Sequence, residues 1–550
     1  MKKKLILLVL ILILAIAFSG CVSNKRSVSI EEQSVSINSL IFTRTGAVIE
    51  LNQELPINTV SISNKTSEDT FTYNANLSKV FLEFNWDASE LYKIEINKYL
   101  NQTYSAPSKP SPYELKEIKL EDVQPANFIK TTSNPKEVIE ISPNSQYAII
   151  GTANGFIRLI NLQTLGEEFR KKIPEATITA IAFSGDGKYV LVGEKSAETY
   201  LYLYDLTGKE VWKYSTAKDL GSASLYYKPK ITHIAVFKDK AYVSATFLRK
   251  VNKVYYYNSR IYNIDIKSGE VVWKFPKNEN IDSGVYYLDT NGKYVVFATG
   301  SWTSGKKYRE GTVYCLNKFG ELEWSYTIEP LKPYWDYVTI WYSTTISPDG
   351  KYIATFTSDG RAFLFNNSEI LKSKIAKVRW QKNLSTPIEI SGIPIYASAN
   401  IAKLTEKYVI FSVGSTFNPP SAKGHGVPIE HPMGNTLFVF DIEGNLKWKW
   451  KVEGYAEDLK VSKDGKYIVA AIAQNLVTKD TGVHGIYVFN TERLGGASSK
   501  LEWVYHTQGI SVASAISPDN KYIVAISAPI DVDITEKEDI IGEHKVIMLT

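Results

Sequence analysis

The side chains with the widest chemical reach in this sequence form two groups. Five of the six histidines, His425, His431, His484, His506 and His544, gather toward the C-terminus, with Glu430, Asp531, Asp533 and Glu543 near them. Imidazole and carboxylate together suit zinc, copper or another transition ion. One ion needs several ligands converging on one point. His484 and His544 open equivalent strands of adjacent repeats, so the set makes a site only if its loops fold inward; otherwise these are solvated loop histidines. The second group is aromatic. Tyr255, Tyr256, Tyr257, Trp302, Tyr334, Trp335, Tyr337 and Trp341 offer rings suited to a protein partner or a glycan, or to the packing of loop against loop. No nucleophile elbow, phosphate loop or paired-metal motif occurs, so catalysis is not predicted.

The N-terminus sets the compartment in which this chemistry would operate. Lys2, Lys3 and Lys4 precede an apolar run from Leu5 to Phe18, and Ser19, Gly20 and Cys21 follow. That run is shorter than the roughly 20 apolar residues a transmembrane helix requires, which fits a secretion signal better than a span. An uncleaved N-terminal anchor is the alternative, and either places the rest of the chain on the extracytoplasmic side of the cell membrane. Only one other cysteine exists, Cys315, so with Cys21 committed elsewhere no intramolecular disulfide forms. The chain has 550 residues, 44% of them hydrophobic, and a net charge of +5 from 63 basic and 58 acidic residues. That is ample core for more than one domain, and it gives no footprint for nucleic acid.

Around these residues the sequence divides into a head, a linker and an array. Residues 35–104 alternate with period two and predict a small β-sandwich-like domain after a tether at 22–34. Residues 105–112 are a proline-rich linker. From 113 to 550 a unit recurs whose first turn reads "SPDGKY" and whose second reads "DLTGKEVW". Tyr147, Tyr189, Tyr242, Tyr294, Tyr352, Tyr408, Tyr467 and Tyr522 mark the first turn. Trp212, Trp273, Trp324, Trp380, Trp448 and Trp503 follow the second, as core residues between neighbouring units. In "SPDG", Pro348 presets φ, Asp349 accepts the next position and Gly350 takes the positive φ. Four-stranded units at this spacing predict an all-β, eight-bladed β-propeller, or a seven-bladed one. The last unit ends one strand short, and the segment 113–123 is expected to close it.

The "TGKxxW" half of the unit resembles the docking repeat of quinoprotein-type propellers, and the "SPDGKY" half resembles WD-repeat propellers. The "FSGC" stretch resembles a lipoprotein signal over 1–21, which implies lipidation of Cys21. The quinoprotein resemblance implies a pyrroloquinoline quinone (PQQ) dehydrogenase as the alternative function. However, the adjacent cysteine pair of many such enzymes is absent. No cofactor is predicted; the histidines leave a transition metal open, and the resemblance leaves PQQ open.

Within a blade, the stereotyped turns fall on one face. The long connections, Phe247 to Asn258, Gly300 to Gly311, Gly414 to Asn435, Ala528 to Glu543 and Thr327 to Trp341, fall on the other. Variable loops on a rigid scaffold are where binding resides. The expected function is therefore a lipid-anchored, non-catalytic binding or scaffold propeller. Its partner is expected to be a protein of the cell envelope, or else a glycan, with membrane contact through the N-terminal lipid.

Overall fold

The repeated turn is held by its serine. In the computed structural model, Ser347 Oγ donates to Asp349 Oδ1 at 2.7 Å and accepts the Tyr352 N–H at 3.0 Å. Asp349 Oδ1 takes the Lys351 N–H at 3.0 Å, and Gly350 has φ 75°. Ser184, Ser462 and Ser517 make the same bonds to Asp186, Asp464 and Asp519, although Gly185 and Lys463 stand where Pro348 does. Proline is therefore optional here, while a hydroxyl that satisfies the turn's backbone is the common part.

Residues 37–550 are described, apart from 44–45, 85, 87–89, 98–99, 106–114, 121–137, 222, 225–226, 301–310, 334–336, 418–421, 423, 428–430, 453, 474–483, 494–499 and 532–539. Each turn joins antiparallel strands, and the strands group into eight blades of four strands, the sixth adding a short fifth, Ile388–Ile390, and the second and third sharing a Lys195↔Lys230 bridge. Their inner strands are Val138–Ile141, Thr177–Phe183, Lys230–Phe237, Gly284–Thr290, Thr345–Ile346, Ile393–Leu404, Ala456–Val461 and Ile510–Ile516. The eighth blade takes its outer strand, Leu115–Lys119, from ahead of the first; it pairs with Lys545–Leu549. The fold is an eight-bladed β-propeller.

Blades adhere through the outer-strand tryptophans. Trp212 Nε1 donates to the Ile266 carbonyl of the next blade at 2.8 Å, and Trp273 Nε1 to that of Lys318 at 2.9 Å. Each indole lies against a glycine of the turn it bonds, Gly269 and Gly320, where an added Cβ would come within 2.9 and 2.6 Å of the ring. Phe169 fills the same position against Gly208. The fifth blade lacks the short second turn. Its longer segment forms a helix, Asn367–Ser373, capped by Asn366, whose side chain accepts the Glu369 N–H at 3.2 Å. Trp324 Nε1 instead reaches Asn367 Oδ1 at 2.8 Å.

One repeat marker is displaced. Tyr189, Tyr294 and Tyr408 pair with Asp205, Asn317 and Asp441 at the strand end, but in the third blade Lys240 pairs with Asp265. A tighter hairpin there puts Tyr242 two residues further along the strand.

The head is one five-stranded antiparallel sheet. Its long strand Gly46–Ser63 pairs along one edge with Glu68–Glu83, and along the other first with Ile37–Thr43 and then with Leu91–Ile96. Register breaks bend that strand, so the sheet curls over its own core, which includes Ile49, Val60, Trp86 and Ile94. The head docks on the sixth and seventh blades. Lys79 Nζ lies 3.5 Å from the centre of the Trp450 ring and donates to the Lys451 carbonyl at 3.1 Å, and Phe81 meets Tyr487 edge-on.

A matched pair of substitutions isolates the indole dock. Gly320 and Gly392 both have positive φ, 81° and 75°, but no atom lies within 4 Å of a Cβ at Gly392. Alanine at either position costs about 1 kcal/mol for the left-handed backbone. Gly320→Ala is expected to lose a further ~1–3 kcal/mol by displacing Trp273. Urea unfolding of the two variants measures the difference, and equal losses would refute the dock.

Candidate functional site

Strand register determines which residues approach the propeller axis. The last inner-strand pairs before the turn include Ile141↔Ala148, Phe183↔Val190, Leu404↔Val409 and Val461↔Ile468. The residue just before that pair, or in the third blade before the equivalent Val236↔Ala241, is in blade order Glu140, Ala182, Ala235, Asp289, Thr345, Lys403, Lys460 and Ala515. Two residues earlier stand His233, Tyr287 and Asp458 in the third, fourth and seventh blades. The pairing shifts just ahead of His233 and Asp458, and between Val285 and Leu288; bulges of this kind re-aim side chains.

These two tiers meet across the channel. Lys403 Nζ donates to Tyr287 OH at 2.9 Å, joining the sixth blade to the fourth past the intervening fifth. The ammonium lies 4.8 Å from the centre of the Tyr287 ring, and the His233 ring is 4.1 Å from it on the third blade. Lys460 Nζ is 3.9 Å from Asp458 Oδ2, a carboxylate oxygen that also accepts the Ser514 N–H of the next blade at 3.0 Å.

Burial sets the charge states. It pushes the Glu140 carboxyl above its ordinary range, and the Asp458 carboxylate adds to that, while Lys460 and Lys403 pull it back. Burial, helped by Lys403 and Lys460, presses the His233 imidazole down to about 3, so it is neutral at pH 7. Asp458 holds the Lys460 ammonium above its usual value against burial. Glu140 makes no hydrogen bond or ion pair among the described residues.

Above the channel, on the face away from the serine turns, lies an aromatic mouth. Tyr257 OH and Tyr286 OH share a 2.6 Å hydrogen bond, the Tyr286 and Trp341 rings are 5.0 Å apart, and Lys230 Nζ is 5.5 Å from the Tyr286 ring. Tyr342, 44% exposed, bridges to Ile401 beside it. Phe247 to Asn258, expected as an irregular loop, is instead the end of a regular hairpin. Lys240–Val251 pairs throughout with Val254–Asp265, and the tight turn at Asn252 and Lys253 has φ 49° and 68°. Tyr256 is exposed on it, Tyr255 packs edge-on against Tyr227, and Tyr257 is buried at its root. Tyr337 and Trp341 are half-buried, whereas Trp302, Tyr334 and Trp335, like Cys21, lie outside the described residues. Sequence reasoning missed Tyr286, which joins Tyr257 to Trp341; its one signal was the doubled tyrosine in "GVYYLD".

The five singled-out histidines do not form one site. Among the described residues no group of three His, Cys, Asp or Glu is placed to hold a metal ion. His425 is exposed. His431 is buried, its Nδ1 accepting the Met433 N–H at 3.1 Å. His484 is buried too, and its carbonyl accepts the Thr507 N–H and faces His506 Nδ1 at 3.2 Å. The His544 carbonyl accepts the Leu120 N–H at 2.9 Å, and burial presses its imidazole down to about 4. His431 and His484 are therefore packing residues rather than solvated loop side chains. Beside His506, Glu117, Tyr505, Glu543 and Lys545 line a cavity of about 240 Å³ at the closing seam. Its charges are already matched: Tyr505 OH and Lys545 Nζ both reach Glu117, at 2.8 and 3.1 Å.

No family model matches the chain, and no curated protein matches it. Similar solved structures are propellers. The C-terminal WD40 domain of Sif2 is 12% identical with a TM-score of 0.49, the match covering 79% of this chain and 98% of that one. BamB from Moraxella catarrhalis is 14% identical over 79% and 98% with a TM-score of 0.45. The β-propeller domain of Myceliophteria thermophila Cps50 (Swd1) is 10% identical over 77% and 98% with a TM-score of 0.39. The fold assignment rests on the strand pairings themselves.

The mouth carries its own titration signature. Burial, and then the neighbouring Lys195, lower the Lys230 ammonium to about 8. A lysine with a lowered pKa is half neutral at that pH, so Lys230 is expected to react with an amine-directed reagent with a midpoint near 8, ahead of the ordinary lysines at about 10.4. Competitive labelling read by mass spectrometry across pH 7–10 checks this, and a midpoint above 10 would overturn the reading.

Proposed function

We propose that this chain is a non-catalytic binding or scaffold propeller, lipid-anchored on the extracytoplasmic side of the cell membrane, that docks a protein of the cell envelope on its aromatic mouth. The observation that carries the reading is the contrast between the two faces. On the turn face, serine and aspartate side chains spend their hydrogen bonds on their own turns. On the other face, Tyr256 and Tyr342 are exposed, and the Tyr286 and Trp341 rings pack 5.0 Å apart with Lys230 Nζ 5.5 Å from Tyr286. Tyrosine and tryptophan rings at a surface are the composition of interface hot spots. Lys2 to Lys4, the apolar run and Cys21 support the location.

A quinone dehydrogenase finds less support. The channel's acids face two lysines, and among the described residues no set of three His, Cys, Asp or Glu could seat the accompanying cation. We therefore derive no catalytic step. A glycan would use the same rings.

Photo-cross-linkers at Tyr256 and at Phe319, the latter exposed on the turn face, test the docking in intact cells. A discrete protein adduct from position 256 alone is expected. Adducts from 319 alone, or glycan capture at 256 without protein, would overturn the reading. Metabolic labelling with a fatty-acid analogue is expected to mark the wild type and to be lost in Cys21→Ser.

A further inference from the structure

The channel tier is a second site, separate from the mouth, and its composition differs from that of a packed core. In the closing seam Glu117 is paired with Lys545, and Glu543 with Lys119 and Lys545, and in the inner-strand contacts Asp289 is bonded to Thr345 Oγ1 at 2.7 Å. Glu140 and Lys403 are not settled in this way, and Lys460 is settled only in part. Lys403 has only a neutral phenol as hydrogen-bond partner, Lys460 stands 3.9 Å from a carboxylate already occupied by a backbone N–H, and Glu140 has neither a hydrogen bond nor an ion pair among the described residues. Each is half-buried, facing the channel rather than bulk water. Charges drawn out of water without close partners are costly, and they persist where an occupant of opposite charge completes them.

The arrangement of signs narrows that occupant. Lys403 and Lys460 come from adjacent blades at one level, so they repel each other and together favour an anion between them. Glu140 comes from the first blade, two places round the ring from Lys460, and favours a cation. The neutral Tyr287 and His233 rings form the wall facing the lysines and add no charge of their own. A simple anion would leave Glu140 repelling it, and a simple cation would face two ammonium groups. We propose that the channel tier binds a free amino acid, its carboxylate taken by Lys403 and Lys460 and its ammonium by Glu140.

This site does not depend on docking at the mouth, and its test uses different ligands. Calorimetry of the whole protein against the L-amino acids, each compared with its N-acetyl and its amide form, probes the two charges on unaltered protein. At least one amino acid is expected to bind, with a loss of about tenfold or more when either charge is blocked. Glu140→Gln and Lys403→Met are expected to abolish the distinction selectively, Glu140→Gln tolerating the N-acetyl form and Lys403→Met the amide. No binding by any amino acid would overturn the proposal. N-acetyl forms that bind wild type as tightly as the parent would reduce the site to an anion site and overturn it equally. The wild-type ligand series decides the matter even if a variant fails to fold.

Discussion

Everything that shares the propeller axis depends on one strand pairing, that of Leu115–Lys119 with Lys545–Leu549. It joins segments more than four hundred residues apart in sequence, yet loop-closure entropy rises only with the logarithm of length, so the distance itself is a modest cost. The pairing also removes an open edge from the eighth blade. Its ion pairs, Lys119 with Glu543 at 2.7 Å and Lys545 with Glu117 at 3.1 Å, are substantially exposed and contribute little. The apolar side contributes more: Leu120, Val546 and Met548 are buried in one cluster with Ile139, Ile150 and Ile526. That cluster joins the eighth blade to the first, and only because it does can Glu140 approach Lys460.

Around the closed ring the blades are tied at two radii. Outside, indoles rest on turn glycines. Inside, a polar side chain reaches the next inner strand: Thr179 Oγ1 bonds the Ile231 carbonyl at 2.6 Å and Thr232 Oγ1 the Val285 carbonyl at 2.8 Å. In the fourth and seventh blades an aspartate takes this part, with Asp289 accepting from Thr345 and Asp458 from Ser514 N–H. Two of the channel's carboxylates are thus explained by adhesion between blades. Glu140 and Lys403 are not, since among the described residues neither is hydrogen-bonded to an adjacent blade.

The sequence makes the architecture legible because the turns and tryptophans are local patterns repeated many times. What it conceals has physical causes. Tyr242 stands two residues inside its strand, an offset that no spacing of tyrosines reveals. The Phe247–Asn258 segment alternates weakly, and Asn252–Lys253 is a rarer turn pair than Asn-Gly, so an extended hairpin reads as a loop. In "LKWKW" only Trp448 follows the repeat; Trp450 is buried under Lys79 of the head, a contact that no local pattern announces. The channel is the least legible part. Each blade contributes one or two residues some fifty positions apart, and "ITHIAVF" around His233 reads as ordinary core. The five histidines that cluster in sequence do not converge in space, whereas His233, which does reach the channel, belongs to no histidine cluster.

The mouth and the channel are nevertheless neighbours, separated by one peptide bond. Tyr286 faces Trp341 and Lys230, while Tyr287 faces His233 and Lys403, and the register break between Val285 and Leu288 is what lets consecutive side chains serve different sites. Proximity alone does not couple them, because coupling needs an element with two arrangements. The strand between them is held by Thr246 and Thr232, whose hydroxyls both donate to the Val285 carbonyl, at 2.7 and 2.8 Å. Thr246 Oγ1 also accepts the Val285 N–H at 3.2 Å. Held at both polar groups of Val285, the start of the bulge acts as a fixed spacer, and the geometry favours separate roles for the mouth and the channel over signalling between them.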